Sequence, residues 1–179
     1  MSKLKRSLML ALVLPALPLA ACGFHPLYGD NGTLTSNASS LASITVEAPE
    51  NAVGRKLRYN LLDNLNNGGE QPLNPAYRLS MFPTNYSQDV AVQQDASVTR
   101  ATSVLVVPYV LISNATGKVV YRSTAQARSS YNRSDSEFAN LSAAEDAEKR
   151  TAEAVANDIR MQVSVYFDRL ARAEKTSAN

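Results

Sequence analysis

The chain has 179 residues, of which 18 are lysine or arginine and 16 are aspartate or glutamate, for a formal net charge of +2. Three of the cations, Lys3, Lys5 and Arg6, lie at the N-terminus, so residues 22–179 keep 15 cations against all 16 anions, a net charge of −1. This balance argues against general binding to nucleic acid. The one cysteine excludes an internal disulfide, and the one histidine, His25, lacks the companions that a zinc site needs. No cofactor is expected.

The N-terminal segment has the three-part layout of a secretory signal peptide. Its cationic start is followed by an uncharged, mostly apolar run from Leu8 to Ala21 that ends in small residues. A membrane span needs about 20 apolar residues. This run is shorter, and Pro15 and Pro18 within it break helices. The sequence therefore predicts a cleaved export signal rather than a membrane span or a buried helix.

The signal segment ends in Leu19-Ala20-Ala21-Cys22, which contains the only cysteine. This end resembles the lipobox of bacterial lipoproteins, whose leader is cut just before the cysteine, here between Ala21 and Cys22. In that class the cysteine then carries S-diacylglycerol and an N-acyl chain. A thiolate suits this chemistry because it is a better nucleophile than a hydroxyl near neutral pH. Cys22 is therefore the predicted lipid anchor, and the alternative is a small buried cysteine.

The residues after the cysteine predict a destination and a tether. In bacterial lipoproteins an aspartate at this place is an inner-membrane retention signal, so Gly23 implies export to the outer membrane. Residues 22–40 are rich in glycine, asparagine and serine, which is typical of a flexible tether. Phe24, Leu27 and Tyr28 are too apolar for a pure linker, so we expect this end to lie against lipid or a partner.

The first elements of the folded part are a strand over Ser43–Glu47 and a helix over about Asn51–Asn66. Leu57, Leu61 and Leu65 repeat every four residues along the helix and form its apolar stripe. A strand, a helix and another strand in one small domain favour a crossover connection. The first two strands are therefore expected to be parallel.

From Tyr77 to Tyr131 the sequence is strand-like, with a predicted hairpin tip at residues 93–96. The longest predicted strand is Val98–Ile112, and its second half is apolar at every position, which suggests cover on both faces. Proline has no N–H to donate to a strand ladder. We therefore expect a bulge or a locally unpaired edge at Pro83 and at Pro108.

The last predicted strand, Lys118–Tyr131, has two different faces. Alternation puts Val119, Tyr121, Ala125 and Ala127 on one face, and Lys118, Arg122, Thr124, Gln126 and Arg128 on the other. Arg100 on the preceding strand joins this row of cations in one hairpin register, and the sequence leaves that register open. The row is either a functional cationic surface or an ordinary solvated face of a sheet.

The C-terminal part is predicted to be one long helix after a polar loop over Asn132–Asn140. The sequence from Ser142 to Glu145 matches a capping box, so the helix is expected to start there and to run to about Arg172. Its predicted buried stripe consists of Val155, Ile159, Val163, Tyr166 and Leu170.

The chain therefore divides into a lipoprotein signal peptide (1–21), a lipidated flexible tether (22–40), one α/β domain (41–173) and a disordered tail (174–179). No enzymatic activity is expected. The sequence has no metal-ligand spacing, phosphate loop or nucleotide fingerprint. A serine–histidine pair would have to use His25 from the tether, where it cannot be held rigidly.

The order of these features resembles one family. The lipobox and the run Cys22–Leu27 are followed by a strand, a leucine-striped helix, three long strands ending in Arg128-Ser129-Ser130-Tyr131, and a long helix. This is similar to the LptE (RlpB) family of lipopolysaccharide-assembly lipoproteins. The resemblance implies an α+β fold, a two-layer sandwich with two helices on one face of a four-stranded mixed sheet, in the order β-α-β-β-β-α.

The resemblance also implies a function. Members of this family are anchored in the outer membrane on its periplasmic side, plug the LptD β-barrel and assist lipopolysaccharide transport and assembly. They bind lipopolysaccharide through basic residues, for which Lys118, Arg122, Arg128 and Arg100 are the candidates here. The alternatives are an auxiliary lipoprotein of another envelope machine, such as a secretin pilot or a transporter subunit, and an outer-membrane lipid carrier. A carrier needs a deep apolar pocket.

Overall fold

Eight helices and strands follow one another in the part of the chain that the structure describes, residues 33–66, 70–92 and 98–177. In chain order they are α1 (Thr33–Ala42), β1 (Ile44–Glu47), α2 (Ala52–Asn66), β2 (Tyr77–Met81), β3 (Thr84–Val92), β4 (Val98–Ser113), β5 (Val119–Asn132) and α3 (Glu137–Ser177). The structure is a computed structural model. The predicted signal peptide, its cleavage site, the lipid anchor Cys22 and the predicted hairpin tip lie outside the described residues.

The five strands form one mixed sheet with the neighbour order β1-β2-β4-β3, and β5 pairs with the other edge of β4. β1 runs parallel to β2, as the strand–helix–strand order predicts, and every other pair is antiparallel. The longest predicted strand is confirmed as β4, which has 16 residues and pairs with three neighbours. α2 and α3 pack on one face of this sheet, so the expected two-layer α+β fold is confirmed.

The sheet has five strands rather than four because the second predicted strand is interrupted. β2 ends at Met81 and β3 begins at Thr84, and both pair with the same edge of β4. At the interruption, the backbone N–H of Phe82 donates to the carbonyl oxygen of Pro108 at 2.9 Å. The N–H and C=O of one residue point the same way in a strand, so the N–H that Pro108 lacks would face this gap. The irregularities expected at Pro83 and Pro108 therefore meet at one place.

The core lies between the two helices and the sheet. The predicted stripe of α2 is buried, and so is the first part of the stripe predicted for α3. The side chains that meet there include Leu57, Leu61, Leu65, Val155, Ile159 and Val163 from the helices and Ile44, Leu79, Leu105, Tyr109 and Leu111 from the sheet. Farther along α3 the buried position is Phe167, which packs edge-on against Tyr77 with 5.0 Å between ring centroids. Leu170, predicted to be buried, is 38% exposed, and no residue of α3 beyond Phe167 is buried.

The start of α3 corrects one prediction. The helix begins at Glu137, ahead of the predicted capping box at Ser142. Oγ of Ser136 accepts the backbone N–H of Ala139 at 3.4 Å, which is the contact of an N-cap residue. The side chain of Asn140 also exchanges two hydrogen bonds of 2.8 Å with the backbone of Ser134. The predicted polar loop is therefore wrong in its second half, because these bonds cap the helix at Ser136, well before the predicted cap at Ser142.

Two further segments are helical where composition predicts flexible chain. α1 begins inside the predicted tether, and it buries Leu41 in the core. α3 continues to Ser177 rather than ending near Arg172. An ion pair of 2.9 Å between Arg172 and Asp168, one turn apart, supports this last part of the helix.

Candidate functional site

The candidate site is the face of the sheet turned away from α2 and α3, which we call the open face. Its members follow from the strand register, because residues directly opposite each other on neighbouring strands point to the same side. They are Thr45 and Glu47 on β1, Arg78 and Ser80 on β2, Thr84, Tyr86 and Gln88 on β3, Arg100, Thr102, Val104, Val106, Pro108, Val110 and Ile112 on β4, and Arg122, Thr124, Gln126, Arg128, Ser130 and Asn132 on β5.

An apolar strip runs along β4 through the middle of the open face. Val104 is fully buried there, flanked by Tyr86 and Arg128 at the directly opposite positions of the neighbouring strands. Val106 is half-buried and Pro108 is exposed. The prediction that β4 is covered on both faces is therefore wrong. Among the described elements, the helices cover one face only, whereas on the other face burial changes along β4 from the fully buried Val104 to the exposed Pro108.

Three of the four predicted cations lie on the open face. Arg122 and Arg128 alternate along β5 as the sequence predicts, and both are exposed. The register that the sequence left open places Arg100 opposite Asn132, on the same side of the sheet. Nε of Arg100 donates to Oδ1 of Asn132 at 3.5 Å. The strand pairing thus brings a cation from β4 to the face that carries the two from β5.

Lys118 does not continue this row by alternation. The pairing of β5 with β4 is irregular between Tyr121 and Val119. Val120 packs against the core and Val119 is 48% exposed, so the prediction that Val119 shares the face of Tyr121 is wrong. A bulge of this kind interrupts the alternation of side chains. Lys118 lies beyond it and is exposed in the turn, so its position does not follow from that of Arg122.

The arginines on the β4 and β5 part of the open face have no acidic partner. Among the described residues, no carboxylate lies within ion-pair distance of Arg100, Arg122 or Arg128. Glu47 is the one carboxylate among the described members of the open face, and it pairs at 3.7 Å with Arg78 on the β1 and β2 part. This half of the face therefore presents three uncompensated positive charges beside an apolar strip.

The spacing of these cations decides what they can bind. Arg122 and Arg128 are six positions apart on one strand, so their α-carbons are about 20 Å apart. When the Gln126 amide is turned so that its oxygen faces Arg128, this oxygen accepts hydrogen bonds from Nε and Nη2 of the arginine, each 3.0 Å long. These two bonds orient the guanidinium group. Two guanidinium groups at this separation cannot hold the same phosphate. They provide separate contacts for an extended anionic surface, each able to bind two oxygens at once.

A groove of about 560 Å³ lies on the helix side of the domain, away from the open face. It is lined by Lys56, Tyr59, Asn60, Ser142, Glu145, Asp146 and Lys149. Its charges are of both signs, and Lys56 pairs with Glu148 next to it at 3.5 Å. This groove therefore has no preference for anions, and we do not assign it to the site.

The remaining chemistry of the described ranges is structural. No group of three or more metal-ligating side chains occurs in them, and none of their helices has the length and apolarity to cross a membrane. Burial raises the pKa of Tyr109, so its hydroxyl stays protonated and donates to Oε1 of Gln162 at 2.8 Å. This bond links β4 to α3 within the core.

No family model and no curated protein sequence matches the chain. A proposed lipoprotein from Caulobacter crescentus has 22% sequence identity and a TM-score of 0.61, over 75% of this chain and 97% of its own. A minor lipoprotein from Acinetobacter baumannii has 19% identity and a TM-score of 0.56, over 69% and 90% of the two chains.

A third solved structure is also similar to this chain. An uncharacterized lipoprotein B from Nitrosomonas europaea has 14% identity and a TM-score of 0.54, over 70% of this chain and 83% of its own. At such low identities the likeness establishes the fold and nothing more. The chain therefore has the α/β fold that these bacterial lipoprotein structures share.

Proposed function

We propose that the chain is a lipid-anchored protein of the outer membrane that faces the periplasm, plugs the LptD β-barrel and assists lipopolysaccharide transport and assembly. Three lines of support converge on this proposal. The predicted leader ends in a sequence that resembles a lipobox, with Cys22 as the predicted anchor. The fold is that of solved bacterial lipoproteins, one of which is described as a lipoprotein B. The order of motifs resembles the LptE family.

The observation that carries the proposal is the open face. It combines an apolar strip on β4 with the uncompensated charges of Arg100, Arg122 and Arg128. Partly exposed apolar surface of this kind marks an interaction site when polar residues surround it. The lumen of a large β-barrel is polar and could cover such a mixed surface. The lipid anchor would hold the domain close to the barrel, which makes the association effectively intramolecular.

Lipopolysaccharide fits the same surface by its chemistry. Its lipid A and core carry several phosphates spread over an extended area, and arginine side chains bind phosphate oxygens in pairs. The separation of Arg122 and Arg128 suits two such phosphates and is too large for one small anion to bridge both side chains. Acyl chains of the same molecule could lie along the apolar strip of β4.

The double substitution Arg122→Glu and Arg128→Glu is expected to weaken lipopolysaccharide binding roughly tenfold, because two exposed contacts of about 0.5–1 kcal/mol are lost and become repulsive. Stability should change by no more than about 1 kcal/mol, since both side chains are exposed and only the contact of Arg128 with Gln126 is lost. Binding is measured by titrating the purified full chain with lipopolysaccharide in mild detergent. Thermal unfolding of the same samples checks the fold.

The matched control is Arg169→Glu with Lys175→Glu, which makes the same change of charge on α3. Both residues are exposed and form no ion pair with another described residue. Lipopolysaccharide binding should stay within about twofold of the original in this control. If the two double variants weaken binding equally, the open face has no special role, and if neither does, Arg122 and Arg128 belong to an ordinary solvated face.

A further inference from the structure

The outer edge of β5 offers unpaired backbone groups. β5 lies at the edge of the sheet, and among the described strands it pairs with β4 alone. Its register with β4 is regular from Arg122 to Asn132, so the direction of each backbone group can be worked out from one fixed point. In an antiparallel pair, residues alternate between those that bond to the neighbouring strand and those that face away from it.

Pro108 provides that fixed point. Its carbonyl oxygen accepts the N–H of Phe82 at 2.9 Å, so the backbone groups of Pro108 face β2 and β3 and not β5. Thr124 is directly opposite Pro108. The two therefore form a pair without hydrogen bonds between them, and the N–H and C=O of Thr124 face away from β4. By alternation the same holds for Arg122, Gln126 and Arg128.

At each end of this edge, a different feature prevents another strand from pairing with it. At one end, Nη2 of Arg150 donates to the carbonyl oxygen of Ser130 at 3.5 Å, which confirms that even-numbered residues of β5 turn their carbonyls outward. At the other end, the irregular pairing at Val119 disrupts the strand, and bulges of this kind protect edges from pairing. The edge between them, residues 122–128, is about 20 Å long, which matches a strand of ordinary length.

We propose that this edge binds an extended segment of a partner protein as an added β-strand, with acidic side chains of the segment opposite Arg122 and Arg128. Main-chain hydrogen bonds to the four outward-facing residues would hold the segment. The two arginines point to the open face, have no carboxylate partner among the described residues and would form cross-strand pairs with acidic residues. The proposal goes beyond the barrel and lipopolysaccharide function and does not depend on it.

Charge also argues against a second copy of this chain as the occupant. Antiparallel pairing of two identical edges over the whole of residues 122–128 would place Arg122 of one copy opposite Arg128 of the other. Like charges at directly opposite positions destabilise a strand pair. A segment with two acidic residues six positions apart has the complementary pattern.

The test uses the full chain in mild detergent and a synthetic peptide that alternates valine with polar residues and carries two glutamates six positions apart. Hydrogen exchange of the backbone amides, followed residue by residue by NMR, is measured with and without the peptide. We expect slower exchange, by at least roughly tenfold, at the amides of Arg122, Thr124, Gln126 and Arg128. The amides of Ser123, Ala125 and Ala127 already bond to β4 and should not change.

Two substitutions of Thr124 and one change in the peptide test which groups hold the added strand. Thr124→Pro removes an outward N–H without taking a bond from β4, so it should weaken peptide binding roughly tenfold and leave the fold intact. Thr124→Val keeps the N–H and should bind the peptide as the original does. A peptide with lysines in place of the glutamates should bind at least roughly tenfold more weakly to the original chain.

Three outcomes would overturn the proposal. The first is no change in amide exchange at the four outward-facing residues, including the case in which the peptide does not bind. The second is equal binding by Thr124→Pro and Thr124→Val. The third is protection of these amides in the chain alone together with dimer formation, which would assign the edge to a second copy. These three readouts do not depend on whether a β-barrel partner is recovered. A negative result for one proposal therefore does not decide the other.

Discussion

Replacing Cys22 with alanine is expected to abolish lipid attachment and to leave the signal segment uncut, because no other side chain of the sequence supplies a thiol. Each acyl chain contributes about 0.8 kcal/mol of membrane affinity per buried methylene, and stable anchoring needs two or more chains. The variant should therefore lose its lipid anchor completely. Metabolic labelling with a clickable fatty acid, followed by gel analysis of the tagged chain, measures the attachment directly.

A second variant separates lipidation from targeting. Gly23→Asp keeps the thiol and introduces the inner-membrane retention signal of bacterial lipoproteins. It should therefore retain the fatty-acid label while the protein shifts from the outer-membrane to the inner-membrane fraction. A label that persists in Cys22→Ala would show that the anchor is elsewhere in the chain. An unlabelled original chain would remove the lipoprotein assignment altogether.

Gly54→Ala is expected to lower the free energy of unfolding by about 1–3 kcal/mol. A Cβ at this position would overlap the carbonyl oxygen of Pro49 and come within 3.1 Å of Oδ1 of Asn51. That oxygen accepts the N–H of Gly54 at 2.7 Å and caps the start of α2. At an ordinary helix position the same change stabilises a protein by about 0.5–1 kcal/mol, so the predicted effect has the opposite sign.

Asn60→Ala on the same helix is the matched control, because it also introduces alanine, at a half-buried position at the edge of a groove, and adds no atom that could clash. Its effect should lie within about 0.5 kcal/mol of zero, with the higher helix propensity of alanine favouring a small gain. Urea unfolding monitored by circular dichroism provides both values. Stabilisation by Gly54→Ala would contradict the close approach of α2 to the turn before it.

The parts of the fold that sequence predicts are those set by local patterns. The leucine stripe of α2 and the long apolar run of β4 depend only on the spacing of residues within one element, and both are confirmed. The break between β2 and β3 depends on Phe82 meeting Pro108 across the sheet, which no local pattern reveals. The early start of α3 depends on Ser136, whose neighbours do not match a capping box.

For the candidate site too, local patterns predict some features and long-range pairing determines the others. Alternation along one strand suffices to place Arg122 and Arg128 together, whereas Arg100 joins them only through the register of β4 with β5. The bulge beside Val119 removes Lys118 from the row, and a bulge has no reliable local signature. The lack of a carboxylate near these cations is a property of the whole sheet. This lack becomes apparent only once the order and register of all five strands are known.

The two faces of the sheet differ in how far the described residues cover them. The helix-covered face buries a continuous core from Ile44 to Phe167, which stabilises the domain without outside contacts. The open face keeps apolar side chains of β4 partly exposed, next to arginines that have no carboxylate partner among the described residues. Covering that face would remove apolar surface from water and neutralise the charges, which favours association with a large anionic or polar surface.

The central claim is tested most directly by purifying the tagged full chain from membranes in mild detergent and identifying what elutes with it by mass spectrometry. We predict that a large outer-membrane β-barrel co-elutes in stoichiometric amounts and that lipopolysaccharide is present in the same fractions. Recovery of the chain as a monomer without a barrel, or with the subunits of a different envelope complex, would contradict the proposed function.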